Sequence, residues 1–213
     1  MTNHKDLTFH DYAQVWSSLH GGAHVAGIVK WWLHIAFLIA RTLHRMKMSP
    51  HAVTSFGVLC AVLTWQNADN GAALVWLVLS LASDGVDGTL AIISGKNSRW
   101  GATLDAVADR IAEVFWVGAF YALGASLEIV LIIWLAAATQ EYVRARAGGL
   151  GLRQIGIVTV AERPIRASML CIAIVAQLLG LSWASALAFV LAVIQSLSCL
   201  TVIQFAYQQF SKD

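Results

Sequence analysis

The sequence predicts an all-α integral membrane protein of six transmembrane helices, preceded by an amphipathic helix lying in the membrane interface. Three observations predict it. Hydrophobic residues make up 58% of the 213-residue chain and charged residues only 12%, with a mean hydropathy of +0.67, well above a soluble domain. The apolar residues gather in six runs, 52–67, 71–94, 102–123, 126–147, 165–181 and 184–208, each close to the roughly 20 residues that cross a bilayer as a helix. The basic residues fall on alternate loops. Asn67–Gly71, Leu123–Glu128 and Gly180–Ser182 contain no Lys or Arg, whereas Arg41, Arg45, Lys47, Lys96, Arg99, Arg144, Arg146, Arg153, Arg163, Arg166 and Lys212 all belong to the other side.

Helices are the class because backbone in lipid must satisfy its own hydrogen bonds. The charge asymmetry places both termini and the basic loops in the cytoplasm, and an even number of spans agrees with it. Residues 1–48 are expected to form a cytoplasmic arm with the interfacial helix, and 49–213 the six-helix transmembrane domain. The segment before the first run holds all seven histidines. Its apolar stretch Trp31–Ala40 is too short to span and is flanked or broken by Lys30, His34 and Arg41. Val29–Met46 is therefore expected as an amphipathic helix anchored by Trp31 and Trp32. His20 and His24, at i,i+4, have a spacing that can bind zinc on a helix, but the polar surface of a cytoplasmic arm is the better explanation. Cys60, Cys171 and Cys199 stand singly in apolar runs and read as small core residues. No signal-peptide pattern occurs. That absence and the compact length point to a bacterial plasma membrane, and nothing points to nucleic acid.

Four aspartates interrupt this apolar chain. In D84-G-V-D87-G88-T-L-A91 and G101-A-T-L-D105-A-V-A-D109 they are spaced i,i+3 and i,i+4, so each pair projects from one helix face. Acids at membrane depth are costly and default to a functional reading. Lone pairs of this kind also serve as structural partners of Lys or Arg. Four at regular spacing, with Gly85, Gly88, Gly95 and Gly101 among them, point to divalent cations. Mg²⁺ and Mn²⁺ prefer hard oxygen ligands and complete their shells with phosphate, and two such ions can clamp a pyrophosphate.

The spacing D-x2-D-G-x2-A-x9-G-x3-D-x3-D, carried by Asp84, Asp87, Gly88, Ala91, Gly101, Asp105 and Asp109, resembles the signature of the CDP-alcohol phosphotransferases. Ser49-Pro50 before the first run, six spans and an interfacial helix extend the resemblance over most of the chain. These membrane enzymes transfer a phosphoalcohol group from a CDP-activated donor to a hydroxyl acceptor and release CMP. The resemblance implies that Asp84, Asp87, Asp105 and Asp109 hold two Mg²⁺ or Mn²⁺ ions, with Asp109 also the general base. It implies that Gly88, Ala91 and Gly101 shape the CDP pocket, that the donor is a CDP-linked membrane lipid, and that the enzyme is a homodimer. The chain departs at Ile92, where the family usually has arginine. Donor identity is then open, and Arg99 and Arg110 are candidates for restoring the charge.

Five arginines crowd Gln140–Arg166. Arg144, Arg146, Arg163 and Arg166 could bind an anionic substrate, since the guanidinium fork matches phosphate oxygens. Ordinary positive-inside charge explains them equally well. Glu141 and Glu162 are expected to pair with neighbouring arginines. The run Y142-V-R144-A-R146 followed by E162-R163-P164-I-R166 resembles the acceptor region of phosphatidylinositol phosphate synthases, which implies a phosphorylated polyol acceptor such as inositol phosphate. Phosphatidylglycerol phosphate synthesis, or an unusual donor and acceptor, stands as the alternative. A divalent-cation transporter is the competing class, but the acids lie toward one membrane face and Glu113 is the only further acid deep in a run. A degenerate scaffold rests on Ile92 alone.

Overall fold

The computed structural model describes residues 7–19, 21–152 and 157–211. Their order is α1 (Phe9–Leu19), α2 (Gly27–Arg45), α3 (Pro50–Gln66), α4 (Ala72–Ile93), α5 (Arg99–Ala122), α6 (Leu127–Gly149), α7 (Arg163–Leu178) and α8 (Ala184–Phe210). No strand occurs among the described residues. Each of the six apolar runs is one helix, α3 to α8, with ends shifted by at most three residues.

Two helices, α4 and α8, are long and apolar enough to cross a membrane alone; α2 with α3, bent by 116°, forms a further broken candidate. Length and charge separate the rest. Helices α3 and α7 have 17 and 16 residues, about 24–26 Å of helix against a hydrocarbon core of about 30 Å. Helix α5 carries Asp105, Asp109, Arg110 and Glu113 within its first fifteen residues.

The described residues form two compact units, one within Met1–Cys60 and Val78–Ala112, the other within Ala61–Leu77 and Glu113–Asp213. In the first, α2 buries Leu33, Ala36, Phe37 and Ala40, an i, i+3, i+4, i+7 stripe, and leaves Trp31 65% exposed. That stripe joins Val53 of α3 and Val86, Leu90, Ile92 and Ile93 of α4 in one apolar cluster.

Helix α1 completes the cluster. Tyr12 is fully buried, 5.4 Å from the ring of Phe37, and its hydroxyl shares a 2.8 Å hydrogen bond with Thr89 of α4. Phe9 packs edge-on against His34 and Phe37. The expected cytoplasmic arm is thus in part a packed helix, whose sequence signal is the i, i+3, i+7 stripe of Phe9, Tyr12 and Trp16. His24 is exposed and non-helical, and His20 lies outside the described residues, as do His4, Arg153 and Lys212.

In the second unit α8 packs along α6 and α7. Its outward residues Phe189, Val193, Leu197, Leu200, Ile203 and Tyr207 remain exposed, as expected for a lipid-facing surface. Buried polar groups are tied together across three helices. Gln140 of α6 accepts from Gln195 of α8 at 2.9 Å, and Gln195 accepts from Arg166 of α7 at 3.1 Å.

Candidate metal centre

The turn between α4 and α5 sets the frame for the aspartates. Helix α4 ends where Gly95 takes a left-handed φ of 64°, with Gly95 and Lys96 N–H bonded back to Ile92 and Ala91 carbonyls. Helix α5 begins at a serine cap, Ser98 Oγ accepting from Gly101 N–H at 2.9 Å. This short connection returns the chain so that Asp84 and Asp87 of α4 and Asp105 and Asp109 of α5 belong to one unit.

Asp84, Asp105 and Asp109 bring one carboxylate oxygen each to within 4.8 Å of one another, all three half-buried. At an effective dielectric near 20, each pair of charges so placed repels by on the order of 3 kcal/mol. Asp87 differs from them: it is only 3% exposed. Its Oδ2 accepts from the Thr54 hydroxyl of α3 at 2.5 Å, and its Oδ1 is buried without a hydrogen-bond partner. Clustered carboxylates and an orphaned buried oxygen are the donor set that Mg²⁺ or Mn²⁺ requires. These residues fit a divalent cation.

The glycines of the motif divide by task. A Cβ on Gly85 would meet the Trp32 indole at 2.8 Å, so this glycine admits the ring that α2 lays against the Asp84 turn of α4. Trp32, expected as an interfacial anchor beside Trp31, is half-buried here. Gly88 is exposed, with nothing within 4 Å of where its Cβ would be, and Gly101 lies against Ser98 and His51. Ala91 is half-buried. Ile92 is 7% exposed within the apolar cluster that Tyr12 completes. A guanidinium at that position would be a buried charge among apolar side chains.

The arginines of the second unit fall into distinct settings. Arg144 is clamped between Glu141 at 2.8 Å and Glu162 at 2.6 Å, and also donates to the Ile157 carbonyl. The expected Glu–Arg pairing is therefore present. Burial works to raise the Glu162 carboxyl, but hydrogen bonds from Arg144 and Thr159 outweigh it and hold the group at about 2. Arg166 is buried, donating to Glu113 at 2.5 Å, the Ala161 carbonyl and Gln195. Arg163 lies 5.1 Å from the Trp116 ring centroid, a cation–π contact. Arg146 is exposed. Two partners escaped sequence reasoning: Thr54, 33 residues from Asp87, and Glu113 as the counter-charge of Arg166. A charge at helix depth signals that a partner exists, but does not name it.

The class defined by this fold is an all-helical integral membrane protein carrying a clustered-carboxylate centre. The model of the CDP-alcohol phosphatidyltransferase family matches residues 42–202, and the chain belongs to that family. It is 33% identical over 151 residues to the phosphatidylinositol phosphate synthase of Cutibacterium acnes, covering 62% of this chain and 70% of that protein. It is 32% identical over 136 residues to the archaetidylinositol phosphate synthase of Aeropyrum pernix, with the same coverages. The crystal structure of Mycobacterium tuberculosis phosphatidylinositol phosphate synthase with CDP-DAG bound superposes with a TM-score of 0.67 at 26% identity, covering 82% of this chain and 94% of that one. The same enzyme in complex with manganese and citrate gives 0.67 at 27% identity, covering 81% and 88%.

Proposed function

We propose that this chain moves the phosphatidyl group of a CDP-activated lipid, such as CDP-diacylglycerol, onto a hydroxyl of a phosphorylated polyol, inositol phosphate first, releasing CMP. The observation that carries it is the convergence of Asp84, Asp105 and Asp109 on the aspartate spacing of the family to which the chain belongs. The relatives named phosphatidylinositol phosphate synthase and archaetidylinositol phosphate synthase support the acceptor.

Asp84, Asp87, Asp105 and Asp109 are the residues that would hold two Mg²⁺ or Mn²⁺ ions. When bound, the ions neutralise the pyrophosphate charge and stabilise the leaving CMP phosphate. Asp109 takes the proton from the acceptor hydroxyl as its oxygen attacks the lipid-bearing phosphorus and the bond to CMP breaks. Gly88, with open space at its Cα, Ala91 and Gly101 form the wall against which the nucleotide lies. Arg146 and Arg163 are assigned to the acceptor phosphate, with Arg144 and Arg166 shaping that region through their ion pairs. The six helices α3 to α8 cross the bacterial plasma membrane and α2 lies in the interface. Termini and active site are cytoplasmic by the distribution of Lys and Arg. The functional unit is a homodimer, as the resemblance implies.

The test supplies purified protein with Mn²⁺, CDP-diacylglycerol and either inositol phosphate or glycerol phosphate, and reads CMP release. Turnover with inositol phosphate supports the reading, and turnover with glycerol phosphate alone reassigns the acceptor. No CMP with either acceptor, together with Mn²⁺ flux in proteoliposomes, would replace the enzyme by a transporter.

A further inference from the structure

Asp87 sits in the motif between Asp84 and Gly88, yet its surroundings differ from those of the other three acids. It is almost fully buried, and a single side chain, Thr54 of α3, holds one of its oxygens at 2.5 Å. The Thr54 hydroxyl lies 3.1 Å from the Pro50 carbonyl as well. It has one proton, and two acceptors compete for it. The contact to Asp87 is the shorter of the two, so the hydroxyl donates to the Asp87 carboxyl oxygen in preference to the carbonyl. The β-branched threonine has few rotamers on a helix, which fixes the direction from which the hydroxyl approaches.

The contact is built into the packing of α3 on α4. One turn beyond Thr54, Gly57 faces Ser83, one turn before Asp87. A Cβ at Gly57 would lie 2.9 Å from Ser83 Cβ. The missing side chain lets the two helices approach closely enough for Thr54 to reach across. With Oδ2 held, the carboxylate cannot spin freely, and Oδ1 is left as the buried oxygen without a partner. The charges of Asp84 and Asp105 act on this same carboxylate.

We propose that Thr54 is a positioning residue of the metal centre: its hydroxyl fixes the Asp87 carboxylate so that Oδ1 is presented as a cation ligand. The inference rests on the metal assignment above. In this role Thr54 acts through Asp87, whose carboxylate its hydroxyl holds. Outer-shell partners of this kind set ligand orientation, and losing them typically weakens metal affinity about 10- to 100-fold.

The test measures Mn²⁺ binding to the purified protein by loss of the free-ion EPR signal, without substrates, in wild type and in Thr54→Val, Thr54→Ser and Thr54→Ala. Thermal melts without metal are recorded alongside. The expected result is binding weakened about 10-fold or more in Val and Ala, with Ser restored to within about threefold of wild type. Val binding Mn²⁺ like wild type, or Ser as weak as Ala, overturns the proposal. Ser and Ala both lack the γ-methyl, so their difference reads the hydroxyl even if Val unfolds. Asp84→Asn is the control for the underlying assignment. Wild type that binds no Mn²⁺, or binding unchanged in Asp84→Asn, overturns the metal reading and Thr54's role with it. A wild type that binds, with Asp84→Asn weakened and all three Thr54 variants normal, overturns the role of Thr54 alone.

Discussion

Truncating Glu113 to alanine removes the counter-charge of a buried arginine. The two side chains are 4% and 6% exposed and meet at 2.5 Å. Trp116, Phe120, Ile133, Trp134 and Leu191 line the same cleft, so water is a poor substitute for the lost carboxylate. Arg166 would keep the Ala161 carbonyl and Gln195 Oε1, which solvate its charge without neutralising it. Breaking a buried pair from one side costs about 3–5 kcal/mol, whereas replacing both partners with apolar residues of similar volume is often neutral. At roughly 2–4 °C per kcal/mol for a chain of this size, Glu113→Ala lowers Tm by between about 6 and 20 °C. The double variant Glu113→Leu with Arg166→Met recovers most of that loss. Tryptophan fluorescence during thermal unfolding in detergent reads all three proteins. A drop in Tm below about 2 °C for Glu113→Ala, or a double variant worse than either single one, would refute the reasoning.

Further predictions concern the supports of the two units. Glu162 is depressed to about 2 from 4.5, so its contribution to stability is complete above pH 4.5 and is lost as pH falls through 2. The Tm gap between wild type and Glu162→Gln therefore narrows between pH 6 and pH 3; a gap independent of pH contradicts the ion pair. Gly57→Ala forces its Cβ onto Ser83 at 2.9 Å, with an expected cost of about 1–3 kcal/mol in thermal melts and weaker Mn²⁺ binding by EPR. Lys47, with a left-handed φ of 59°, closes α2 in a conformation that suits glycine. Lys47→Gly is expected to stabilise by about 1 kcal/mol, seen as a higher Tm.

Much of the fold was legible because apolar runs and turn residues agreed. The runs 71–94 and 184–208 are α4 and α8 with little change, whereas α5 begins at Arg99, three residues before the expected 102, because Ser98 caps it. Helix α1 was not read, since His10, Asp11 and Gln14 made Phe9–Leu19 look polar while Tyr12 is fully buried. Spacing put each aspartate pair on one helix face, and the turn between α4 and α5 brings oxygens of Asp84, Asp105 and Asp109 together. Thr54 could not be found that way, because a hydroxyl on a helix carries no sign of a partner 33 residues on. The arginines were visible as charge, but Arg144 and Arg166 are held by Glu162 and Glu113 through contacts that only tertiary packing creates. Ile92 was legible as a missing arginine. Its reason lies in the cluster it shares with Tyr12 and Phe37, where an apolar side chain belongs.

CMP release from CDP-diacylglycerol, measured in wild type and Asp109→Asn with Mn²⁺ and again after chelation, tests the central claim most directly. Chelation is expected to abolish release, and Asp109→Asn to reduce it by about 10²-fold or more, the usual worth of a positioned base. Release that survives both treatments would contradict a catalytic centre built on these four aspartates.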